Sequence, residues 1–134
     1  MQRQSIPMKL EYRDGLLFVS LTLAYKGRVH TVDNVILDTG AAQSLIDREV
    51  VEPLDLETDD DDLIVILIGI GGKEHAVRKQ IDHLQFDSHF VEKPLVDFGS
   101  LGAHPGINGL LGAEVLVSGR FVIDLEKMTV YQRF

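Results

Sequence analysis

The run Val35-Ile36-Leu37-Asp38-Thr39-Gly40-Ala41 constrains this chain more than any other, because a strand-like apolar stretch ends in a carboxylate on a turn of small residues. Burying an isolated carboxylate costs more than one apolar side chain returns. A hydrophobic run therefore ends in Asp where that Asp is paired or useful, and Asp38 is the first functional candidate. Taken alone, Asp-Thr-Gly is also an ordinary turn closing a strand, since Asp and Gly are favoured turn residues.

The pattern around this run is that of a β protein. Met8 to Tyr12 reads as a first strand, and Asp14-Gly15 as a hairpin turn leading into Leu17 to Tyr25. There Leu17, Val19, Leu21 and Leu23 share one face, while Ser20, Thr22 and Ala24 share the other. Lys26-Gly27 turns the chain into Arg28 to Leu37, which delivers Asp38. Asp47 is placed to cap a short helix through Leu54, weakened at its end by Pro53. Asp59 to Asp62 are four consecutive aspartates, which reads as a solvated loop. Their spacing lacks the alternating ligands and turn glycine of a calcium loop.

Leu63 to Ile70 and Lys73 to Leu84 read as a long hairpin with a glycine tip, followed by strands at Leu84 to Phe90 and Pro94 to Phe98. His104-Pro105-Gly106 is a loop. Val115 to Ser118 suits one or two helical turns closed by Gly119, and Phe121 to Leu125 with Met128 to Tyr131 a last hairpin. These elements predict a mostly β, closed sheet with about two short helices. At 134 residues they form one domain, 1–134.

Charge and composition exclude several functions. The net charge of −8 speaks against nucleic acid or an anionic membrane as partner, since both attract basic surfaces. With no cysteine there is no disulfide, thiolate metal site or thiol catalysis. The five histidines show neither an i, i+4 pair on a helix nor a cysteine partner, so no metal is expected. Gly69-Ile70-Gly71 lacks the third glycine of a dinucleotide loop, and Gly72-Lys73 is followed by Glu74 rather than the Ser or Thr of a phosphate loop. No cofactor is expected. Met1 to Ser5 lacks the apolar core of a signal peptide and Leu63 to Ile70 is too short to span a bilayer, which predicts a cytoplasmic protein.

Three landmarks in fixed order carry a resemblance: Asp38-Thr39-Gly40-Ala41, then Ile68-Gly69-Ile70-Gly71-Gly72, then Gly109-Leu110-Leu111-Gly112. Together they resemble the retropepsin-like aspartic proteases, over roughly Leu16 to Tyr131. The resemblance implies a closed β-barrel of the retropepsin or acid-protease type with a flap hairpin. Asp38 would be the catalytic carboxylate, with Thr39, Gly40 and Ala41 supporting its loop. Gly69, Ile70, Gly71 and Gly72 would form the flap over a polypeptide substrate, and Leu110, Leu111 and Gly112 would pack beneath the loop.

Such chemistry needs two carboxylates sharing one proton, the ionised one activating water while the protonated one donates to the scissile carbonyl. This chain carries one Asp-Thr-Gly, and Asp97-Phe98-Gly99 has a bulky aromatic in place of the small hydroxyl residue. The resemblance therefore implies a symmetric homodimer in which Asp38 meets its mate on the two-fold axis. Where retroviral enzymes usually have Asp after the Ala and Arg after the last glycine, this chain has Ala42 and Ala113. It is closer in that respect to cellular and bacterial single-domain aspartyl proteases. A non-catalytic peptide-binding or dimerisation module on the same fold is the competing reading.

Overall fold

Alternating apolar residues and tight turns fold the chain into strands, as the computed structural model shows for residues 3–69 and 72–134. In chain order they are β1 (Met8–Lys9), β2 (Glu11–Arg13), β3 (Leu16–Tyr25), β4 (Arg28–Leu37) and β5 (Leu45–Asp47). A 3-10 helix, Glu49–Leu54, follows. Then come β6 (Leu63–Gly69), β7 (Gly72–Gln80), β8 (His83–Phe86), β9 (His89–Glu92), β10 (Leu95–Gly99) and β11 (Gly109–Leu111). The chain ends with α1 (Ala113–Ser118), β12 (Phe121–Asp124) and β13 (Thr129–Gln132).

The mostly β expectation and the two short helices hold. The closed barrel does not. The main sheet runs β6-β7-β10-β5-β11-β4-β3-β8-β9, with β2 added on β3, and among the described residues no ladder joins β6 to β9. A separate three-stranded sheet runs β1-β13-β12. The physical reason lies in the β6–β7 hairpin. Only the base of β7, Val77–Gln80, pairs with β10, while the outer part of β7 pairs with β6 alone. The hairpin therefore projects from the sheet and leaves β6 as a free edge instead of a closing strand. Ile64, Ile66 and Ile68 stand exposed along it.

The core is one continuous cluster to which β3 contributes Leu21 and Leu23, β4 Val35, β8 Leu84 and Phe86, and β10 Val96 and Phe98. Each such fully buried side chain is worth roughly 1.5–3 kcal/mol. On β3, Ser20 is exposed as expected, yet Ala24 is buried along with Leu23 and Tyr25. The reason is that β8 and β4 flank this end of β3, with Ala24 opposite Val29 and His83. The N-cap is Arg48, which makes no side-chain cap bond, rather than Asp47; from one position earlier Asp47 Oδ1 accepts the Glu49 amide at 2.8 Å and its Oδ2 the Leu101 amide at 3.0 Å. The helix ends one residue after Pro53.

Of the four aspartates, Asp59, Asp60 and Asp61 are exposed as the solvated reading requires. Asp62 is not. It pairs at 2.8 Å with Nζ of the buried Lys79. Burial pushes the Asp62 carboxyl up, but Lys79 and the Asp59 amide together leave it below its ordinary value. No helix among the described residues is long and apolar enough to cross a membrane.

His89 ties the β8–β9 hairpin to the end of α1, its Nε2 lying 2.9 Å from Ser118 Oγ and its ring edge-on to Phe121. Burial pushes its pKa below the ordinary value. The folded state thus binds fewer protons than the unfolded one, and its contribution to stability is full above about pH 6.5 and lost as pH falls from there toward the folded pKa. His89→Gln is expected to lose less stability than the parent between pH 7.5 and 5.5, read as urea midpoints at one protein concentration. Equal losses would assign the pH dependence to other groups.

Candidate active site

The Asp38 turn is held by a strand that is threaded between its two arms. β4 enters the turn and β5 leaves it, and β11 lies between them, parallel to β4 (Leu37 opposite Leu111) and antiparallel to β5 (Leu110 opposite Leu45). β4 is apolar because it is covered: Val35 and Leu37 are buried. The Asp38 amide continues the ladder, donating to the Leu111 carbonyl at 2.9 Å. This puts Leu110, Leu111 and Gly112 directly against the Asp38 turn, two of the three landmarks read from the sequence.

The turn folds back on its own carboxylate. The Gly40 amide donates to Asp38 Oδ1 at 2.9 Å, and the Ala41 amide to the Asp38 carbonyl at 3.2 Å. A Cβ on residue 40 would stand 3.3 Å from Asp38 Oδ1, so a side chain there crowds the carboxylate. Asp38 is half-buried, while Thr39 and Gly40 are exposed. The carboxylate is therefore fixed by the backbone but reachable from outside.

Gly112 is needed for close approach. A Cβ on it would lie 2.9 Å from both the Ala41 carbonyl oxygen and the Gln43 carbonyl carbon, inside contact distance of backbone that cannot yield cheaply. The neighbouring Ala113 amide donates to the Ala41 carbonyl at 2.7 Å.

The third landmark is only partly described. Gly69 and Gly72 pair across β6 and β7 at the end of the hairpin, whereas Ile70 and Gly71 lie outside the described residues. A concavity of about 540 Å³ lies elsewhere, between the 3-10 helix and the hairpin base, lined by Val51, Leu56, Asp62, Ile64, Val77 and Lys79 among others. None of Asp38 to Ala41 lines it.

Two further features went unread in the sequence. Asp97 is buried and holds Arg78 in a two-pronged pair, Nε to Oδ1 at 2.8 Å and Nη2 to Oδ2 at 3.2 Å. The Asp97 hydrogen bond, aided by the charges of Asp97 and Glu114, holds the Arg78 guanidinium above its ordinary pKa against burial. Asp97 is thus engaged within its own chain. Glu114, in the first turn of α1, reaches back to Ser44 just after the Asp38 turn. An acidic residue at a helix start is commonplace, since it complements the helix dipole. Nothing in the sequence marks this one.

The model of the family described as aspartyl protease matches residues 21–115, more than half of the chain. The chain belongs to the aspartyl protease family. No curated protein matches it significantly. The family match begins within β3 and ends within α1, and so contains the Asp38 turn, the β6–β7 hairpin, β11 and Glu114. This aspartyl protease family member thus carries inside the matched span every residue that touches the Asp38 turn in the bonds above.

Proposed function

We propose that the chain is an endopeptidase that works as a symmetric homodimer, with Asp38 and its mate activating water between them. The observation that carries this reading is the Asp38 turn itself: one half-exposed carboxylate, held by the Gly40 amide, while the carboxylate of Asp97 is buried against Arg78 and that of Glu114 is bound to Ser44. One chain supplies half of a dyad. Two-fold symmetry supplies the other half without further residues. In the dyad one carboxylate is ionised and takes a proton from water, while the other is protonated and donates to the carbonyl oxygen. Thr39 at the exposed tip is suited to bond across the axis, and Ala41 and Gly40 keep the loops slim enough to meet.

The substrate would be an extended polypeptide held between this floor and the β6–β7 hairpins, whose Gly69 and Gly72 end serves as flap. The apolar, exposed face of Ile64, Ile66 and Ile68 supports that role. A cleft formed between two copies also accounts for the lack of Asp38 to Ala41 from the concavity at the hairpin base. Incubation with a diverse peptide library, with and without a statine-type inhibitor, tests the reading. Inhibitor-sensitive cleavage is expected, and binding without cleavage would make the chain a peptide-binding module.

The flap role has its own consequence. Ile68, 79% exposed near the hairpin end, is expected to lie against bound peptide. Ile68→Asp should raise KM by roughly tenfold, the worth of about one apolar contact, with little change in melting temperature. An unchanged KM would remove this strand from the substrate site.

A further inference from the structure

Ser44 is fully buried, and every polar atom it owns is spoken for. Its amide donates to Glu114 Oε2 at 2.5 Å and its hydroxyl to Glu114 Oε1 at 2.9 Å. The same Oγ accepts the Gly112 amide at 2.9 Å, and the Ser44 carbonyl accepts the Asp97 amide at 3.0 Å. Three chain segments therefore converge on this one residue at the exit of the Asp38 turn: the end of β11 and the start of α1 through its side chain, and β10 through its carbonyl. A carboxylate suits the place because it is acceptor-only and can take both Ser44 donors at once, whereas an amide offers a single oxygen.

We infer that Ser44 and Glu114 form a positioning clamp that fixes how closely Asp38 can approach its mate. The inference rests on the homodimeric reading above. The turn from Asp38 to Gln43 is anchored at its entry by the Leu111 carbonyl and at mid-span by Ala113. Its exit is anchored by Gln43, whose Nε2 donates to the Leu95 carbonyl, and by Ser44, which makes the buried bonds. Two carboxylates share a proton only when about 3 Å apart, and reactive groups need placement within roughly half an ångström. A turn loose at one end cannot hold that spacing. Ser44 is closed off from solvent and both Glu114 oxygens are taken by Ser44, so both act through Asp38.

The test compares the parent with Ser44→Ala, Ser44→Thr and Glu114→Gln. Removing the hydroxyl leaves the buried Gly112 amide without its acceptor and Glu114 with one donor fewer. Ser44→Ala is expected to lower kcat on the order of tenfold or more, with KM changed by less than about threefold. The weaker coupling also draws the two apparent pKa values of the dyad together, so the bell of kcat/KM against pH narrows from both sides. Ser44→Thr, which keeps the hydroxyl, should restore the parent width, and Glu114→Gln should fall between. Active-site titration with a statine-type inhibitor corrects for unfolded protein, so a loss of folded fraction alone leaves kcat per site and bell width unmoved.

If the parent cleaves peptides and Ser44→Ala keeps kcat and bell width, the clamp is refuted while the protease reading stands. If no peptide is cleaved, the side-chain carbon of Asp38, followed by NMR against pH, reads the same splitting without turnover. A narrower split in Ser44→Ala then supports the clamp, and an identical or absent split overturns it. Should Ser44→Ala not fold, Glu114→Gln carries the same comparison.

Discussion

Asp38→Asn is expected to lower peptide hydrolysis by at least about 10³-fold while leaving the fold and the dimer intact. General acid–base catalysis by a positioned group contributes typically 10²- to 10⁴-fold, and in the proposed homodimer one substitution removes both members of the dyad, because each chain carries the same residue. Asn keeps the shape and can still accept the Gly40 amide through its oxygen, so the turn geometry of the parent survives. The proposed symmetry of the site gives the experiment a second and sharper readout. When parent and variant chains are mixed and allowed to exchange, a site built from two Asp38 residues forms only in parent–parent dimers. An equal mixture should therefore show about a quarter of the parent activity, the square of the parent fraction, where independent sites would show about a half. Linear dependence on the parent fraction would place the whole catalytic apparatus within one chain, and retained turnover in pure Asp38→Asn would remove Asp38 from catalysis. The mixture is best examined well above the concentration at which the dimer dissociates, since dilution lowers activity by mass action in either case.

The entry to the site was readable because its signals are local. The Lys26-Gly27 turn at one end and Asp38 at the other bound β4 at Arg28 and Leu37, the residues observed. Its neighbours in the sheet were harder. β5 and β11 hold three residues each, too few for alternation, and Leu45, Ile46 and Asp47 are all buried, so no polar face marks a strand. The stretch Leu84 to Phe90 read as one strand but splits into β8 and β9, because Asp87 takes a left-handed conformation at φ 54° and turns the chain without a glycine. Barrel closure is not legible in local pattern for a different reason: it depends on where edges meet, and the β6–β7 hairpin projects outward beyond its paired base. The support beneath the turn is non-local. Ser44 and Glu114 lie 70 residues apart and Arg78 and Asp97 lie 19 apart, so each looks like an ordinary polar residue until the sheet brings its partner to it.

Arg78→Met is expected to destabilise the protein by about 3–5 kcal/mol, the usual cost of stranding one member of a buried ion pair. The asymmetry of the pair decides which substitution hurts more. The Asp97 side chain is 1% exposed, whereas that of Arg78 is 30% exposed. Without Arg78, the Asp97 carboxylate has no route to water and must stay buried without its charge partner. Without the carboxylate, in Asp97→Asn, the guanidinium can turn toward solvent and an amide oxygen still accepts one of its bonds, so a cost of about 1–2 kcal/mol is expected. Replacing both residues together, as Arg78→Met with Asp97→Leu, removes the stranded charge and should recover most of the loss, because apolar replacements of buried ion pairs are often neutral or better. Chemical denaturation of the three variants and the parent at one protein concentration gives the order directly. Equal costs for the two single substitutions would mean that water reaches Asp97 in the folded state. A double variant no more stable than Arg78→Met would show that the pair also fixes the β7–β10 register, where Asp97 stands opposite Arg78 and its amide reaches the Ser44 carbonyl. In that case the loss would extend to the Asp38 turn, and catalysis would fall in parallel with stability.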